Sequence, residues 1–229
     1  MKYIAKNRFC ILVGLVLTCV NPAVAQEEEK VIIQEKIPDV VHSFRGGFKL
    51  PTIYGNRSFR KALEGVGNFE FSYQTPVIGG LMLGAGGNSS YYDINFNALP
   101  ELDKGSYLSV GGFGLIGWEK FVAPRFYLSF HQKIGYQYFR FKTPNCSAMP
   151  GSMDEGSSMF TETQVGIYAT GNERMSYGLL IGYQFSFFNF GPQWVCRDSF
   201  SGMSAEDYIG NGRILNIGFG FSIVIGKLQ

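Results

Sequence analysis

The stretch that most constrains this chain runs from residue 215 to residue 225, where two kinds of side chain alternate without a break. A period of two residues is that of a β-strand with one apolar face and one small or polar face. A tilted strand needs about 9–11 residues to cross a bilayer, so the stretch is also long enough to do so. The apolar positions are Leu215, Ile217, Phe219, Phe221, Ile223 and Ile225, and the alternate positions are Asn216, Gly218, Gly220, Ser222 and Val224.

The first 25 residues have the pattern of a secretory signal peptide. A basic segment with Lys2, Lys6 and Arg8 precedes an apolar run over 9–20, and Ala23-Val24-Ala25 provides small residues for cleavage before Gln26. The apolar run is shorter than the roughly 20 residues that a helical membrane anchor needs. Lipidation at Cys19 is a weaker alternative, because Thr18 precedes that cysteine. We therefore predict a signal peptide over 1–25, a polar periplasmic lead-in over 26–42 and one domain over 43–229.

Eight segments of that domain are predicted strands, and the connections between them alternate between long and short. The short connections are 75–79, 119–125 and 171–175, and the long ones are 51–66, 93–106, 142–158 and 191–212. Short periplasmic turns and long outer loops are typical of outer-membrane barrels. The predicted fold is all-β, an eight-stranded antiparallel transmembrane up-and-down β-barrel with both termini in the periplasm. The predicted strands are 43–50, 67–74, 80–92, 107–118, 126–141, 159–170, 177–190 and 213–226.

The inward positions of these strands carry charges of both signs. Eight strands enclose a space that side chains can fill, so charged groups there need partners. We expect a polar network inside the barrel and no open pore. Gln132 falls on the lipid-facing side of strand five, and a β-bulge is expected to turn it inward. The predicted interior network consists of Arg45, Lys49, Glu70, His131, Lys133 and Glu162.

Two long loops carry the cysteines that remain after cleavage. Cys146 and Cys196 form an even pair in an oxidising compartment, which predicts a disulfide. The fourth long loop also carries Trp194, Phe200 and Tyr208. These aromatic residues are either a binding surface or pack on one another and on the barrel rim, and the sequence leaves both open.

Charge and histidine content limit the classes of function. The formal net charge of +2 becomes −1 when the three basic residues of the signal peptide are removed, so no nucleic-acid partner is indicated. No metal or cofactor site is expected. The chain has two histidines. His42 precedes strand one, and His131 points inward together with Ser129, so no catalytic pair is predicted at a lipid-facing outer rim.

The last strand also carries a local motif of barrel proteins, polar-x-Gly-x-x-apolar-x-apolar, in residues 216–223. In this motif and in its composition and arrangement of strands and loops, the chain resembles the small eight-stranded outer-membrane barrels of the outer membrane protein A and X type. It is most similar to the porin-family barrels of Bacteroidetes-type bacteria. The resemblance implies an assembly signal that the barrel-assembly machinery recognises, although the chain ends on residues 226–229 rather than on an aromatic. The signal residues would be Asn216, Gly218, Phe221 and Ile223.

These patterns predict a non-enzymatic outer-membrane barrel of Gram-negative cells, exported by its signal peptide. Its long loops would serve surface interaction, adhesion or envelope integrity. Its partners would be outer-membrane lipids, the barrel-assembly machinery and an extracellular or envelope protein. Three alternatives remain at this stage: an outer-leaflet lipid-modifying enzyme, a secreted ligand-binding barrel, and a subunit of an envelope transport or secretion assembly.

Overall fold

Eight antiparallel strands form a closed barrel in the order of the sequence. The computed structural model describes residues 39–95, 104–143, 154–172 and 174–225, so the predicted signal peptide lies outside the described residues. The elements are β1 (Ser43–Gly55), α1 (Arg57–Ala62), β2 (Leu63–Ile78), β3 (Leu81–Ile94), β4 (Ser106–Ala123), β5 (Phe126–Lys142), β6 (Glu155–Thr170), β7 (Met175–Asn189), a first 3₁₀ helix (Pro192–Val195), a second 3₁₀ helix (Ala205–Tyr208) and β8 (Asn211–Val224).

The barrel closes because β1 pairs with β8 along its whole length. The register runs from Ser43 opposite Val224 to Gly55 opposite Gly212. Each of the other pairs joins strands that are neighbours in the sequence. The predicted fold class, an eight-stranded antiparallel up-and-down barrel of the transmembrane type, is thereby confirmed.

The two ends of the barrel differ in their connections. The turn end carries three short turns, and the opposite end, which we call the cap end, carries α1 and both 3₁₀ helices. At the turn end, Gly79 and Gly80 have φ values of +58° and +85°. Two consecutive residues with positive φ form the tight hairpin turn that suits the twist of antiparallel strands. The strands on either side therefore extend further than the sequence pattern indicated, and the turn predicted over 75–79 shrinks to two residues.

The first predicted loop, 51–66, is the largest difference from the sequence-based expectation. β1 continues through Pro51 to Gly55, and β2 begins at Leu63. Proline lacks a backbone donor, but the pairing of β1 with β2 ends at Lys49, so Pro51 needs no donor on that side. Seven residues remain between the two strands: Asn56 is the N-cap residue, and the other six form α1. None of the helices in the described ranges is both long and apolar enough to span a membrane.

The outer surface of the barrel is apolar and the inner positions are buried. Along β8, the side chains of Ile217, Phe219 and Phe221 are exposed, whereas Asn216 and Ser222 are buried. The other strands show the same alternation, and their exposed positions are mostly Phe, Tyr, Leu, Ile and Val. A predominantly apolar exterior on a closed sheet is the surface that a bilayer accommodates.

Gln132 stays on the outer face, and the bulge predicted there is absent. The β4–β5 and β5–β6 registers pass Gln132 without a shift. Its amide donates to Thr161 Oγ1 at 2.6 Å and accepts from Thr163 Oγ1 at 2.7 Å. Side chains on the next strand therefore satisfy the polar amide, and turning it inward is unnecessary.

Candidate functional site

The middle of the barrel is occupied by two lysines and two glutamates from four strands. Lys49 Nζ lies 2.7 Å from Glu70 Oε2 and 2.7 Å from Glu162 Oε1. Lys133 Nζ lies 2.6 Å from Glu70 Oε2 and 3.3 Å from Glu162 Oε2. Each lysine therefore contacts both glutamates. The four charges sum to zero, which is the condition for holding them away from water.

Neutral side chains complete the coordination of this network. Gln164 Oε1 accepts from Lys133 Nζ at 2.5 Å and from Lys49 Nζ at 3.3 Å. Asn216 Nδ2 donates to Glu162 Oε1 at 3.3 Å. The ring of Phe113 covers Lys133 Nζ at 5.1 Å from its centroid. These contacts fill the cross-section of the barrel with bonded side chains, so the interior is a packed core.

A second charged group lies nearer the turn end. Arg45 Nη2 is 2.7 Å from Glu119 Oε2, and His131 Nε2 is 3.0 Å from Glu119 Oε1. The guanidinium carbon of Arg45 lies 4.8 Å from the ring centroid of Tyr168 and 5.4 Å from that of Tyr127. All six residues of the predicted interior network thus lie inside the barrel, divided between two groups.

A serine, a histidine and a glutamate, the residue types of many hydrolase active sites, lie near one another inside the barrel. Ser129, His131 and Glu119 are all buried. His131 forms a hydrogen bond with Glu119, and Arg45 forms an ion pair with the same carboxylate. A lipid in the surrounding membrane cannot reach these atoms through the wall of the sheet. This arrangement stabilises the interior and does not present a nucleophile to a membrane substrate.

Aromatic rings fill the cap end of the barrel. Phe59 of α1 stands at the centre, with ring centroids 6.2 Å from Tyr107, 6.2 Å from Phe188 and 5.6 Å from Phe190. Rings from several strands surround it, so the cluster spans the mouth of the barrel. We call this set the aromatic cluster: Ile53, Phe59, Ala62, Leu63, Tyr92, Ile94, Tyr107, Phe139, Phe141, Phe188, Phe190, Val195, Phe200 and Ile214.

Two connections cover the aromatic cluster, and we call them the cap: residues 56–62 between β1 and β2, and residues 190–210 between β7 and β8. Asn56 is the central polar residue of the cap. The Asn56 side-chain oxygen accepts from the Phe59 backbone N–H at 3.0 Å, which caps α1. Its amide nitrogen donates to the carbonyls of Tyr208 and Gly210, at 3.2 Å and 3.0 Å. One buried side chain thereby joins the β1–β2 connection to the β7–β8 connection.

The solvent side of the cap is polar and mixed in charge. Arg57 Nη1 lies 3.2 Å from Asp207 Oδ1, which links α1 to the second 3₁₀ helix. The pKa of Asp207 is lowered because its carboxylate accepts from the Ser204 backbone N–H and because Arg57 is close. Ile209 is a large apolar residue of this surface that is 73% exposed. The described part of the cap therefore presents a charged surface from which the apolar side chain of Ile209 protrudes.

The aromatic residues predicted in the fourth loop pack inward. Phe200 is 2% exposed and stacks on Phe190. Tyr208 accepts a hydrogen bond from the Phe200 backbone N–H at 2.9 Å, and the Trp194 ring lies 5.2 Å from that of Phe139. The sequence left open whether these residues form a binding surface or pack on one another and on the barrel rim. In the structure they pack. The proposed binding surface of Trp194, Phe200 and Tyr208 is therefore wrong for Phe200, and the other two are only partly exposed.

Cys196 lies at the end of the first 3₁₀ helix, in a left-handed conformation with φ of +57°. Cys146 lies outside the described residues. The Cys146–Cys196 disulfide therefore stays a prediction.

The four residues of the predicted assembly signal divide between the two faces of β8. Asn216 and Gly218 point inward, and Phe221 and Ile223 point outward. Gly218 lies so close to β1 that an added Cβ would be 2.0 Å from the Phe48 carbonyl oxygen. The structure thus gives Gly218 a role in closing the barrel, and recognition by the assembly machinery stays a prediction.

Gly218→Ala is expected to hinder barrel closure, because the added carbon meets backbone that cannot rotate away. Gly114→Ala is the matched control, since an added Cβ at Gly114 has nothing within 4 Å. In a refolding experiment read by gel migration without boiling, we expect a clearly smaller fraction of compact band for Gly218→Ala and no change for Gly114→Ala. Equal yields would contradict the close approach of β1 and β8.

No group of three or more His, Cys, Asp or Glu residues that could hold a metal ion occurs in the described part of the chain.

Comparison with known proteins gives a fold relationship and no family. No protein-family model and no curated protein matches the chain. Its structure is similar to the crystal structure of Neisserial surface protein A (NspA), with a TM-score of 0.52 and 7% sequence identity over 80% of this chain and 97% of that one. At this identity the similarity shows the fold alone.

Two structures of Ail from Yersinia pestis match less well. Ail is the attachment invasion locus protein, and its complex with the heparin analogue sucrose octasulfate gives a TM-score of 0.42 at 8% identity, over 79% of this chain and 97% of that one. The structure of the outer membrane protein Ail in a phospholipid nanodisc gives 0.34 at 9% identity, over 79% and 99%. Similarities at this level support no further argument.

Sequence reasoning missed the cap, although two signals for it were present. Asn56 is a favoured helix N-cap residue, and Arg60 and Lys61 lie in the last turn of α1, where cations are favoured. In β5, the inward positions Phe139 and Phe141 continue the alternation of His131 and Lys133. A change from charged to aromatic inward residues toward the loop end indicates where the cluster forms.

Proposed function

We propose that this protein is an integral outer-membrane barrel that acts at the cell surface through its folded cap, without enzymatic activity. The observation that carries the proposal is the cap itself, a structured surface joined by Asn56 and Arg57 and held on a closed barrel. A barrel that only anchored a flexible loop would not need a buried hydrogen-bonding residue between two connections.

The filled interior of the barrel favours a role at the cell surface over a role in transport. The Lys49–Glu70–Lys133–Glu162 network and the aromatic cluster lie one above the other along the barrel. A solute would have to break ion pairs and displace packed rings to pass. We therefore expect the barrel to carry no stable current in a planar bilayer, in contrast to a porin with an aqueous channel.

The orientation is testable by labelling single cysteines on intact cells. Ala205 is exposed on the cap, and Arg174 is exposed at the turn end. With a membrane-impermeant maleimide, Ala205→Cys should be labelled on whole cells, and Arg174→Cys only after the cells are broken. The unsubstituted protein measures the background from native cysteines. Labelling of Arg174→Cys alone on whole cells would reverse the orientation, and equal labelling of both in a soluble fraction would remove the membrane assignment.

The surface role is tested by removing the part of the cap that belongs to the β7–β8 connection. Cells producing the full chain are compared with cells in which residues 190–210 are replaced by a short turn, at equal amounts of heat-modifiable barrel. We expect the full chain to increase adherence to cultured epithelial cells and the shortened chain to lose that increase. Unchanged adherence with a new sensitivity to detergent would instead support a role in envelope integrity.

A further inference from the structure

The outer surface near the turn end contains an apolar groove of about 420 Å³. Gly178 of β7 and Gly220 of β8 also line the groove, and as glycines they contribute backbone only. The outward-facing residues of the groove are Phe126, Ile167, Ala169, Tyr177, Leu179 and Phe219.

Ala169 makes the notch in this part of the wall. It pairs with Phe126 on one side and with Tyr177 on the other, and both of these aromatic residues are exposed. In the next row toward the cap end, Ile167, Leu179 and Phe219 stand side by side. A small residue between two exposed rings leaves a slot that is open to the surrounding membrane and lined by apolar groups.

Two arginines belong to the turns that precede the groove-lining parts of β5 and β7. Arg125 immediately precedes Phe126, and its carbonyl accepts from the Thr170 backbone N–H at 2.8 Å, next to Ala169. Arg174 precedes β7 three residues before Tyr177, and its carbonyl accepts from the Val224 backbone N–H at 2.8 Å. Both arginines are exposed, and the ion pairs found among the described residues do not include them.

We propose that this groove binds an anionic phospholipid of the inner leaflet, with an acyl chain in the slot at Ala169 and the phosphate beside Arg125 and Arg174. The proposal rests on the proposed function, because that function places the turn end at the periplasmic surface of the membrane. Apolar contacts in the slot favour any acyl chain equally, whereas the two cations favour a negatively charged headgroup. A basic residue near a membrane surface contributes about 1 kcal/mol toward an anionic lipid, equivalent to about fivefold in binding.

The test uses the full-length protein reconstituted in vesicles of equal parts phosphatidylglycerol and phosphatidylethanolamine. Native mass spectrometry after mild detergent release counts each lipid retained per barrel. We expect phosphatidylglycerol to exceed phosphatidylethanolamine by roughly tenfold or more, since two arginines act together. Arg125→Gln and Arg174→Gln should each lower that ratio about fivefold. Lys120→Gln, an exposed cation on β4 at the same end, is the matched control and should leave it unchanged.

The slot is tested separately from the charges. Ala169→Phe should abolish retention of both lipids by filling the space between Phe126 and Tyr177. Ala85→Phe places the same ring on another exposed alanine of the outer surface, on β3, and should retain lipid as the unsubstituted chain does. Equal retention of the two lipids by the unsubstituted barrel, or unchanged retention by Ala169→Phe, would overturn the proposal.

Gel migration before and after boiling is recorded for every variant, because it separates the two levels of failure. A chain that neither inserts into the vesicles nor shows a heat-dependent shift contradicts the membrane barrel itself. A barrel that inserts and shifts but shows no lipid preference contradicts only the phospholipid site.

Discussion

Replacing Lys133 by methionine is expected to lower the free energy of unfolding by about 3–5 kcal/mol. Lys133 Nζ contacts Glu70 Oε2 at 2.6 Å and Glu162 Oε2 at 3.3 Å, and these two glutamate side chains in the middle of the barrel are only 10% and 2% exposed. Without Lys133, only Lys49 opposes the two negative charges, so one charge is left buried and uncompensated. Urea unfolding in vesicles, followed by tryptophan fluorescence and by gel migration, measures the loss.

Two further variants separate the charge effect from simple loss of a side chain. Lys120→Met removes an exposed lysine and should change stability by no more than about 0.5 kcal/mol. Lys133→Met combined with Glu70→Gln restores a neutral interior and should recover about 0.5–3 kcal/mol relative to Lys133→Met alone. If Lys133→Met unfolds at the same urea concentration as the unsubstituted chain, the ion pairs do not stabilise the barrel. If the double variant is less stable than the single one, charge balance is not the reason for the loss.

Replacing Phe59 by alanine is expected to destabilise the cap by about 3–5 kcal/mol while leaving the barrel closed. Phe59 is 2% exposed and touches rings of β3, β4 and β7 as well as Phe190. Its removal leaves a cavity where α1 meets the mouth of the barrel. Because local opening has its own free energy, amide exchange in α1 should speed up by about 10²–10⁴-fold, and exchange in the middle of β5 should not change.

Tyr54→Ala is the matched control, since Tyr54 is an exposed aromatic residue at the same end on β1. It should leave exchange in α1 close to that of the unsubstituted chain. Phe59→Ala should also remain non-conducting in a planar bilayer, because the network around Lys49 and Glu162 still fills the middle of the barrel. Slow exchange in α1 after Phe59→Ala would show that the aromatic cluster does not hold the cap. A stable current would show that the cluster, and not the ion pairs, blocks passage.

The sequence by itself determined the number of strands and, for most positions, the face on which the side chain lies. A period of two is a local property of extended backbone, so Asn216 and Phe219 could be assigned to opposite faces without knowing their neighbours. The alternation of short and long connections determined which connections lie together at each end of the barrel. Strand lengths were underestimated, because Pro51 reads as a break when its pairing is unknown, whereas the end of the β1–β2 ladder makes it acceptable.

The tertiary structure alone decided which side chains meet. Lys49 and Glu162 are separated by 113 residues in the chain, and Asn56 and Gly210 by 154. Contacts at such separations depend on the register of every intervening strand pair and on closure between β1 and β8, neither of which leaves a local pattern. The sequence therefore identified the charged residues of the interior but did not show which of them pair. It also identified the aromatic residues of the fourth loop but did not decide that they pack inward.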